Sequence, residues 1–146
     1  MKKIMVPVTG HEVGEAALRL ACRMGRLDGA KIHALYVIEL AHEYPLDANL
    51  PRETALAESI LQRIEALSHE ERCPAETALV QARHAGPAIV QEAMERNIDL
   101  IAISDGHKKR SQLLCDVAQY VLTNAPCPVL LWRDPSPCNS QPQVLR

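Results

Sequence analysis

Residues 99–132 place the strongest constraint on how this chain can fold. They begin with an apolar run at residues 100–103, which ends in a polar loop that carries one glycine and a basic cluster. Apolar side chains at helical spacing follow, and Pro126 and Pro128 then precede a second apolar run that begins at Val129. A strand, a loop, a helix and a second strand in this order form half of a nucleotide-binding α/β layout. Ligands of such layouts lie beyond the carboxyl ends of the strands, so this loop is the first candidate for a functional site.

The chain before residue 99 shows the same alternation of strand and helix. Near-continuous apolar runs, typical of strands buried on both faces, predict strands at residues 2–8, Lys31–Glu39 and 76–82, the last of them shorter. Helical spacing predicts helices at residues 12–27, from Pro51 to Cys73-Pro74, and from Gly86 onward. The side chains predicted to face inward are Leu56, Ile60, Ile64 and Leu67 in the second helix and Ile89, Val90, Ala93 and Met94 in the third. Five strands that alternate with four helices predict a parallel open sheet with helices on both faces.

Composition narrows the classes of partner. The chain has 146 residues, enough for one domain with its own core, and a net charge of −2, which gives no general attraction to nucleic acid or anionic membrane. It has three Tyr, one Trp and no Phe, too few for a platform that stacks single-stranded bases. No apolar run reaches the length of a membrane span, and the five cysteines form no Cys-x-x-Cys pair. These features predict a cytoplasmic protein with reduced cysteines and neither nucleic acid nor membrane as partner.

Five sequence blocks resemble the universal stress protein family over about residues 1–133. They are KIMVPVTG at residues 3–10, AKIHALYVIE at 30–39, GPAI at 86–89, DLIAIS at 99–104 and QYVLTNAPCPVL at 119–130. The resemblance implies a Rossmann-like fold of the adenine nucleotide alpha hydrolase type, with strand order 3-2-1-4-5. It also implies cytoplasmic stress roles and homodimers paired through the last strand, here Val129–Trp132. Residues 134–146, which contain three prolines, are predicted to be a flexible tail.

The nucleotide motif of the family is altered in this chain. Members that bind ATP resemble one another in a Gly-x-x-Gly, nine residues, Gly-Ser/Thr pattern after the fourth strand, and in an Asp after the first. Here Ile103 stands at the first glycine position, Gly106 keeps the second, Cys115-Asp116 replaces the closing pair, and Thr9 replaces the Asp. The spacer is also one residue short. Those glycines let backbone N–H groups approach phosphates, whereas Asp116 adds a negative charge that repels a phosphate by roughly 4 kcal/mol at about 4 Å. ATP binding is therefore predicted to be weak or absent.

The loop and the strand ends together define a candidate crevice. Its residues are Pro7, Val8, Thr9, Val37, Gly106, His107, Lys108, Arg110, Cys115, Asp116 and Val117. The basic run at residues 108–110 is either a solvated loop or an anion site. No catalytic residue is assigned, because neither Ser104 nor Ser111 has an identifiable base, and no metal site is assigned.

Three classes of function follow. The favoured one is a non-enzymatic stress-response protein that acts by dimerisation and by binding an unknown protein partner or ligand, with no cofactor. The second is an ATP-binding regulatory domain that uses the altered loop at residues 104–116. The third is an enzyme, a nucleotide hydrolase. Fold alone does not separate them, since related α/β layouts support many chemistries.

Overall fold

The computed structural model describes residues 1–8, 14–105 and 115–133. In this part of the chain strands and helices alternate as β1 (Lys3–Val8), α1 (Glu15–Arg26), β2 (Lys31–Glu39), α2 (Pro51–Glu70), β3 (Ala75–Ala82), α3 (Ala85–Glu95), β4 (Leu100–Ser104), α4 (Asp116–Asn124) and β5 (Val129–Trp132). The strands form one parallel sheet in the order β3-β2-β1-β4-β5. The predicted fold class and strand order are confirmed.

Two hydrophobic cores lie on opposite faces of the sheet, which explains why the central strands are apolar at almost every position. Ile4, Val6 and Val8 of β1 belong to a core that also contains buried residues of α1 and α2. Met5 points to the other face and joins a core with residues of α3 and α4. Because successive side chains of a strand point to opposite faces, a strand covered on both sides needs apolar residues throughout.

Several predicted details differ from the structure. Leu56 and Met94 were expected to face inward, but they are 37% and 58% exposed, and in α2 the inward positions next to Leu56 are Ala57 and Leu61. Helical spacing identifies the apolar stripe of a helix but not the borders of that stripe. A residue about 100° around the helix from the middle of the stripe can face the core or the solvent. β3 begins one residue earlier than predicted, at Ala75, and its eight residues are one fewer than those of β2; α1 ends at Arg26 with Leu27 as its cap. Residues 12 and 13 of the predicted first helix lie outside the described residues.

Close packing joins α3 to α4 at Gly86. A Cβ atom added to Gly86 would lie 2.8 Å from Tyr120 Cγ and 2.9 Å from Tyr120 Cβ. The two helices are therefore so close that position 86 has room only for glycine. This contact matters for the site, because α4 begins directly after the loop that follows β4.

A charged cluster joins α1 to the end of α2. The Glu71 carboxylate, which is buried, accepts hydrogen bonds from Arg19 at 2.8 Å and from Arg23 at 3.3 Å, and the Glu71 carbonyl accepts one from Arg26 at 2.7 Å. These bonds link α1 to α2, the two helices that cover one face of the sheet.

β5 is an edge strand of the sheet, paired with β4 from Ile101–Val129 to Ser104–Trp132. Its four side chains are half-buried. The predicted flexible tail, residues 134–146, lies outside the described residues. Across the ranges that the structure describes, no helix has the length and apolarity needed to cross a bilayer.

Candidate functional site

The carboxyl ends of β1 and β4 lie side by side and form the centre of the candidate site. The two strands are parallel neighbours in the register Ile4–Leu100 and Met5–Ile101. The chain continues from β1 to β2 on one side, whereas β4 and β5 lie on the other, so the winding direction reverses between β1 and β4. The crevice at such a reversal is where open α/β sheets bind ligands.

Gly14 lies against the end of β4, beside this crevice, and sequence analysis did not single it out. It is the N-cap of α1, and a Cβ atom there would lie 3.3 Å from Ser104 Oγ at the end of β4. A glycine directly before a helix is the sequence signal for this position, since the close approach leaves little space for a side chain.

The predicted strand residues Pro7, Val8 and Val37 are all buried at the carboxyl half of the sheet. Val8 pairs with Tyr36, so Val37 lies one residue further along the neighbouring strand. The Val8 side chain belongs to the core with α1 and α2, and the Val37 side chain belongs to the core with α3. A ligand at this edge would therefore meet the ends of these strands rather than free side chains.

The other described candidates, Cys115, Asp116 and Val117, form the first turn of α4. Cys115 is the N-cap, and its Sγ accepts a hydrogen bond from the Ala118 N–H at 3.4 Å. Its carbonyl accepts from the Gln119 N–H at 3.0 Å, the first bond of the helix. The thiol thus occupies one of the amide donors that a helix N-terminus offers to an anion. Val117 is half-buried and packs against the core to which Val37 belongs.

Carboxylates dominate the described part of this edge. Asp116 is exposed in the first turn of α4. Asp105 directly follows β4, is 9% exposed, and donates its backbone N–H to the Trp132 carbonyl at 3.0 Å. Burial raises the pKa of Tyr36, so its hydroxyl stays protonated at neutral pH. The predicted residues Thr9, Gly106, His107, Lys108 and Arg110 lie outside the described residues, so the basic half of the loop stays a prediction.

The described residues offer no obvious centre for metal or nucleophilic chemistry. Within the described ranges no three His, Cys, Asp or Glu side chains are grouped as metal ligands. Burial raises the pKa of the Cys127 thiol, and burial raises that of Cys22 to about 12, so neither is an activated thiolate.

Comparisons with known proteins point in one direction. A sequence model described as the universal stress protein family matches residues 1–133. A universal stress protein of Methanocaldococcus jannaschii is 26% identical over 144 residues, which cover 92% of this chain and 83% of that protein. A universal stress protein structure from Archaeoglobus fulgidus has a TM-score of 0.74 at 21% identity, covering 90% of this chain and 93% of that one. The Archaeoglobus fulgidus protein in complex with dAMP has a TM-score of 0.71 at 22% identity, covering 90% and 97%.

Proposed function

Because the chain belongs to the universal stress protein family, as its sequence blocks predicted, we propose that it acts by dimerisation and by binding a protein partner or ligand, with weak or no binding of ATP. The proposal includes a location in the cytoplasm and no enzymatic activity. The expectation of weak ATP binding rests on the altered residues of the nucleotide crevice.

The first turn of α4 is the observation that carries the proposal. A phosphate at a helix N-terminus needs free N–H donors and benefits from the positive end of the helix dipole. Here the Cys115 thiol takes the Ala118 N–H, and the Asp116 carboxylate already interacts favourably with the dipole. A phosphate would have to displace the Cys115 thiol from the Ala118 N–H and approach the negatively charged Asp116 carboxylate. The helix start is stabilised by the side chains of the protein itself, which reduces what it can offer a nucleotide.

The proposed dimer rests on β5. The outer edge of β5 has no neighbouring strand in the described sheet, and an unpaired edge is a template for pairing with another strand. Pairing with the same strand of a second copy satisfies both edges by two-fold symmetry. Pro128 directly precedes β5 and lacks an N–H donor, so the proposed pairing uses Val129–Trp132 itself.

A second candidate function is ATP-dependent regulation through the altered loop. It is favoured by the likeness to the Archaeoglobus fulgidus protein in complex with dAMP and by the basic run at residues 108–110, which would supply positive charge. In this case Lys and Arg side chains, rather than glycine amides, would hold the phosphates. A nucleotide hydrolase is the third candidate, and nothing in the described part of the crevice favours it.

Isothermal calorimetry with ATP, with and without Mg²⁺, on protein stripped of bound ligand tests the crevice. We expect the wild type to bind weakly or not at all and the Cys115→Gly/Asp116→Ser variant to bind more tightly. Removal of one unit charge at about 4 Å is worth roughly 4 kcal/mol at an effective dielectric near 20, an upper limit for the gain. Adding Thr9→Asp should then favour adenosine-containing ligands over free phosphate.

Glu65→Ser is the matched control, because it removes one exposed carboxylate from α2 without touching the crevice. It should leave ATP affinity unchanged. Micromolar binding by the wild type would contradict weak binding and favour the ATP-dependent candidate, and phosphate release with turnover would favour the hydrolase.

The dimer is tested by light scattering and sedimentation at micromolar concentration. Leu130→Asp and Leu131→Asp should weaken association, since each places a charge on β5. Leu27→Asp, at an exposed position after α1, is the control and should leave the mass unchanged. A monomeric wild type, or dimers unaffected by both β5 variants, would contradict the proposed interface. Circular dichroism of each variant separates loss of association from loss of fold.

A further inference from the structure

His33 is a buried histidine at the opposite end of the sheet from the candidate crevice. It lies near the start of β2 and is 8% exposed. Its Nδ1 is 3.3 Å from Glu76 Oε2 on β3. Its Nε2 is buried as well, and no polar group in the described ranges forms a hydrogen bond with it. A buried polar atom without a protein partner is uncommon and calls for a physical account.

A small cavity adjoins the His33 side chain. Its volume is about 10 Å³, room for one water molecule. Its lining includes Met5 of β1, His33 of β2, Glu76 and Thr77 of β3, and Arg96 after α3. Such a water would donate a hydrogen bond to Nε2 while Nδ1–H donates to Glu76, an arrangement that satisfies the neutral imidazole. Because a water can also accept a hydrogen bond, it is the burial of His33 rather than the cavity that disfavours the charged imidazole.

Charged groups face His33 from every element around it. Glu76 on β3 favours a positive imidazole, but its carboxylate is shared with Lys31 Nζ at 3.0 Å. Lys3 on β1, Lys31 on β2 and Arg96 at the end of α3 all oppose a further positive charge. Lys3 Nζ donates to the Arg96 carbonyl at 3.0 Å, which fixes the Lys3 ammonium at the end of α3.

Two more carboxylates bind the residues that carry these cations. Glu92 binds the Arg96 guanidinium at 2.8 Å, and Asp99 accepts hydrogen bonds from the backbone N–H groups of Lys2 and Lys3. Burial lowers the pKa of His33, Glu76 opposes that effect, and the three cations reinforce it. While the start of β3 is paired with β2, the site around His33 therefore resists protonation of the imidazole.

We propose that His33 is an acid-responsive contact that releases the start of β3 from the sheet when the imidazole is protonated. β3 is an edge strand, bonded on one side only, and Glu76 and Thr77 near its start are exposed. Its first pairs with β2 are Ile32–Ala75 and His33–Glu76. The other strand that lines the cavity is the central β1, which is buried, so the start of β3 is the part that can move to let water reach the imidazole.

The direction of the pH effect follows from linkage between proton binding and opening. The open form has the ordinary histidine pKa of 6.5, and the closed form has a lower one. The closed state is therefore fully favoured above pH 6.5, and its advantage is lost as the pH falls toward the lower pKa. Within that window the opening constant rises by up to about tenfold for each unit of pH. Opening would expose unpaired backbone groups of β2, a surface for pairing with another strand.

Hydrogen exchange of two backbone amides in the full chain tests this proposal. The Ile32 N–H donates to the Pro74 carbonyl at 2.8 Å and reports the contact between β2 and the segment that leads into β3. The Ile101 N–H donates to the Pro128 carbonyl at 3.0 Å and reports the opposite edge of the sheet. We expect the protection factor of Ile32 to fall by up to about tenfold per pH unit below 6.5, while that of Ile101 stays constant.

Two variants separate His33 from general acid effects. His33→Gln should abolish the pH dependence of Ile32 protection, and His69→Gln, at an exposed position of α2, should keep it. Each variant is compared with itself at different pH values, so a constant loss of stability does not affect the result. If His33→Gln does not fold, Glu76→Gln replaces it, and the NMR titration of His33 should then shift to lower pH because a favourable carboxylate is lost.

Three results would overturn the proposal. They are constant Ile32 protection between pH 7 and pH 5, an acid response that persists in His33→Gln, and titration of His33 at or above 6.5.

Discussion

Gly86→Ala should destabilise the fold, although alanine is normally the better residue in a helix. Gly86 lies in the first turn of α3, where replacing glycine by alanine is worth up to about 1 kcal/mol in helix propensity. The added methyl group would lie 2.8 to 2.9 Å from the Cβ, Cγ and Cδ1 atoms of Tyr120. Because the Tyr120 Cβ is fixed to the α4 backbone, rotation of the Tyr120 side chain cannot move it away from the new methyl group.

Overpacking of a close contact costs about 1–3 kcal/mol, so a gain of about 1 kcal/mol in helix propensity leaves a net loss of stability of up to about 2 kcal/mol. Urea unfolding followed by circular dichroism measures this difference. The same substitution in a Tyr120→Gly background provides the control, because glycine removes the Tyr120 Cβ as well as the ring and so removes all three close contacts. There Gly86→Ala should be neutral or stabilising by up to about 1 kcal/mol.

This change of sign is the part of the prediction that depends on tertiary structure. If Gly86→Ala stabilised the wild-type background as much as the Tyr120→Gly background, α3 and α4 would not be in the contact described. A double-mutant cycle gives the coupling directly, and we expect it to exceed about 1 kcal/mol.

Two further predictions concern charge and thiols. Glu71→Gln should lower the free energy of unfolding at pH 7, and its difference from the wild type should shrink as the pH falls toward 3. The reason is that hydrogen bonds from Arg19 and then Arg23 lower the Glu71 pKa below its ordinary 4.5. Their contribution to stability is therefore present above pH 4.5 and is lost in acid. An equal difference at both pH values, from thermal unfolding scans, would contradict this role. In the native protein, thiol-directed alkylation at pH 8 should modify Cys115 well before Cys22, because burial raises the Cys22 pKa from 9.0 to about 12, which lowers its thiolate population by about a thousandfold. Mass mapping of the first labelled residue checks this, and early labelling of Cys22 would show that its surroundings open readily.

The strands were predictable because their burial on both faces leaves a direct record in the sequence. Ile4 and Met5 point to opposite faces of the sheet, and both positions must be apolar when helices cover each side. The N-terminus of α4 was predictable only in part, because Asp116 is a typical first-turn acid but Cys115 is not among the usual N-cap residues. The borders of helical faces were not, as Leu56 and Met94 show, because periodicity gives the direction of a stripe but not the shape of the surface that it meets.

The sequence by itself determined the alternation of elements, the family resemblance and the loss of the usual residues at positions 9, 103, 115 and 116. Only the tertiary structure decided which distant groups meet: Gly14 against Ser104, Gly86 against Tyr120, and His33 beside Glu76. The physical reason is range. Periodicity, capping and turn preferences act over a few neighbouring residues, whereas these contacts depend on how strands and helices far apart in the chain pack together, which local patterns do not encode.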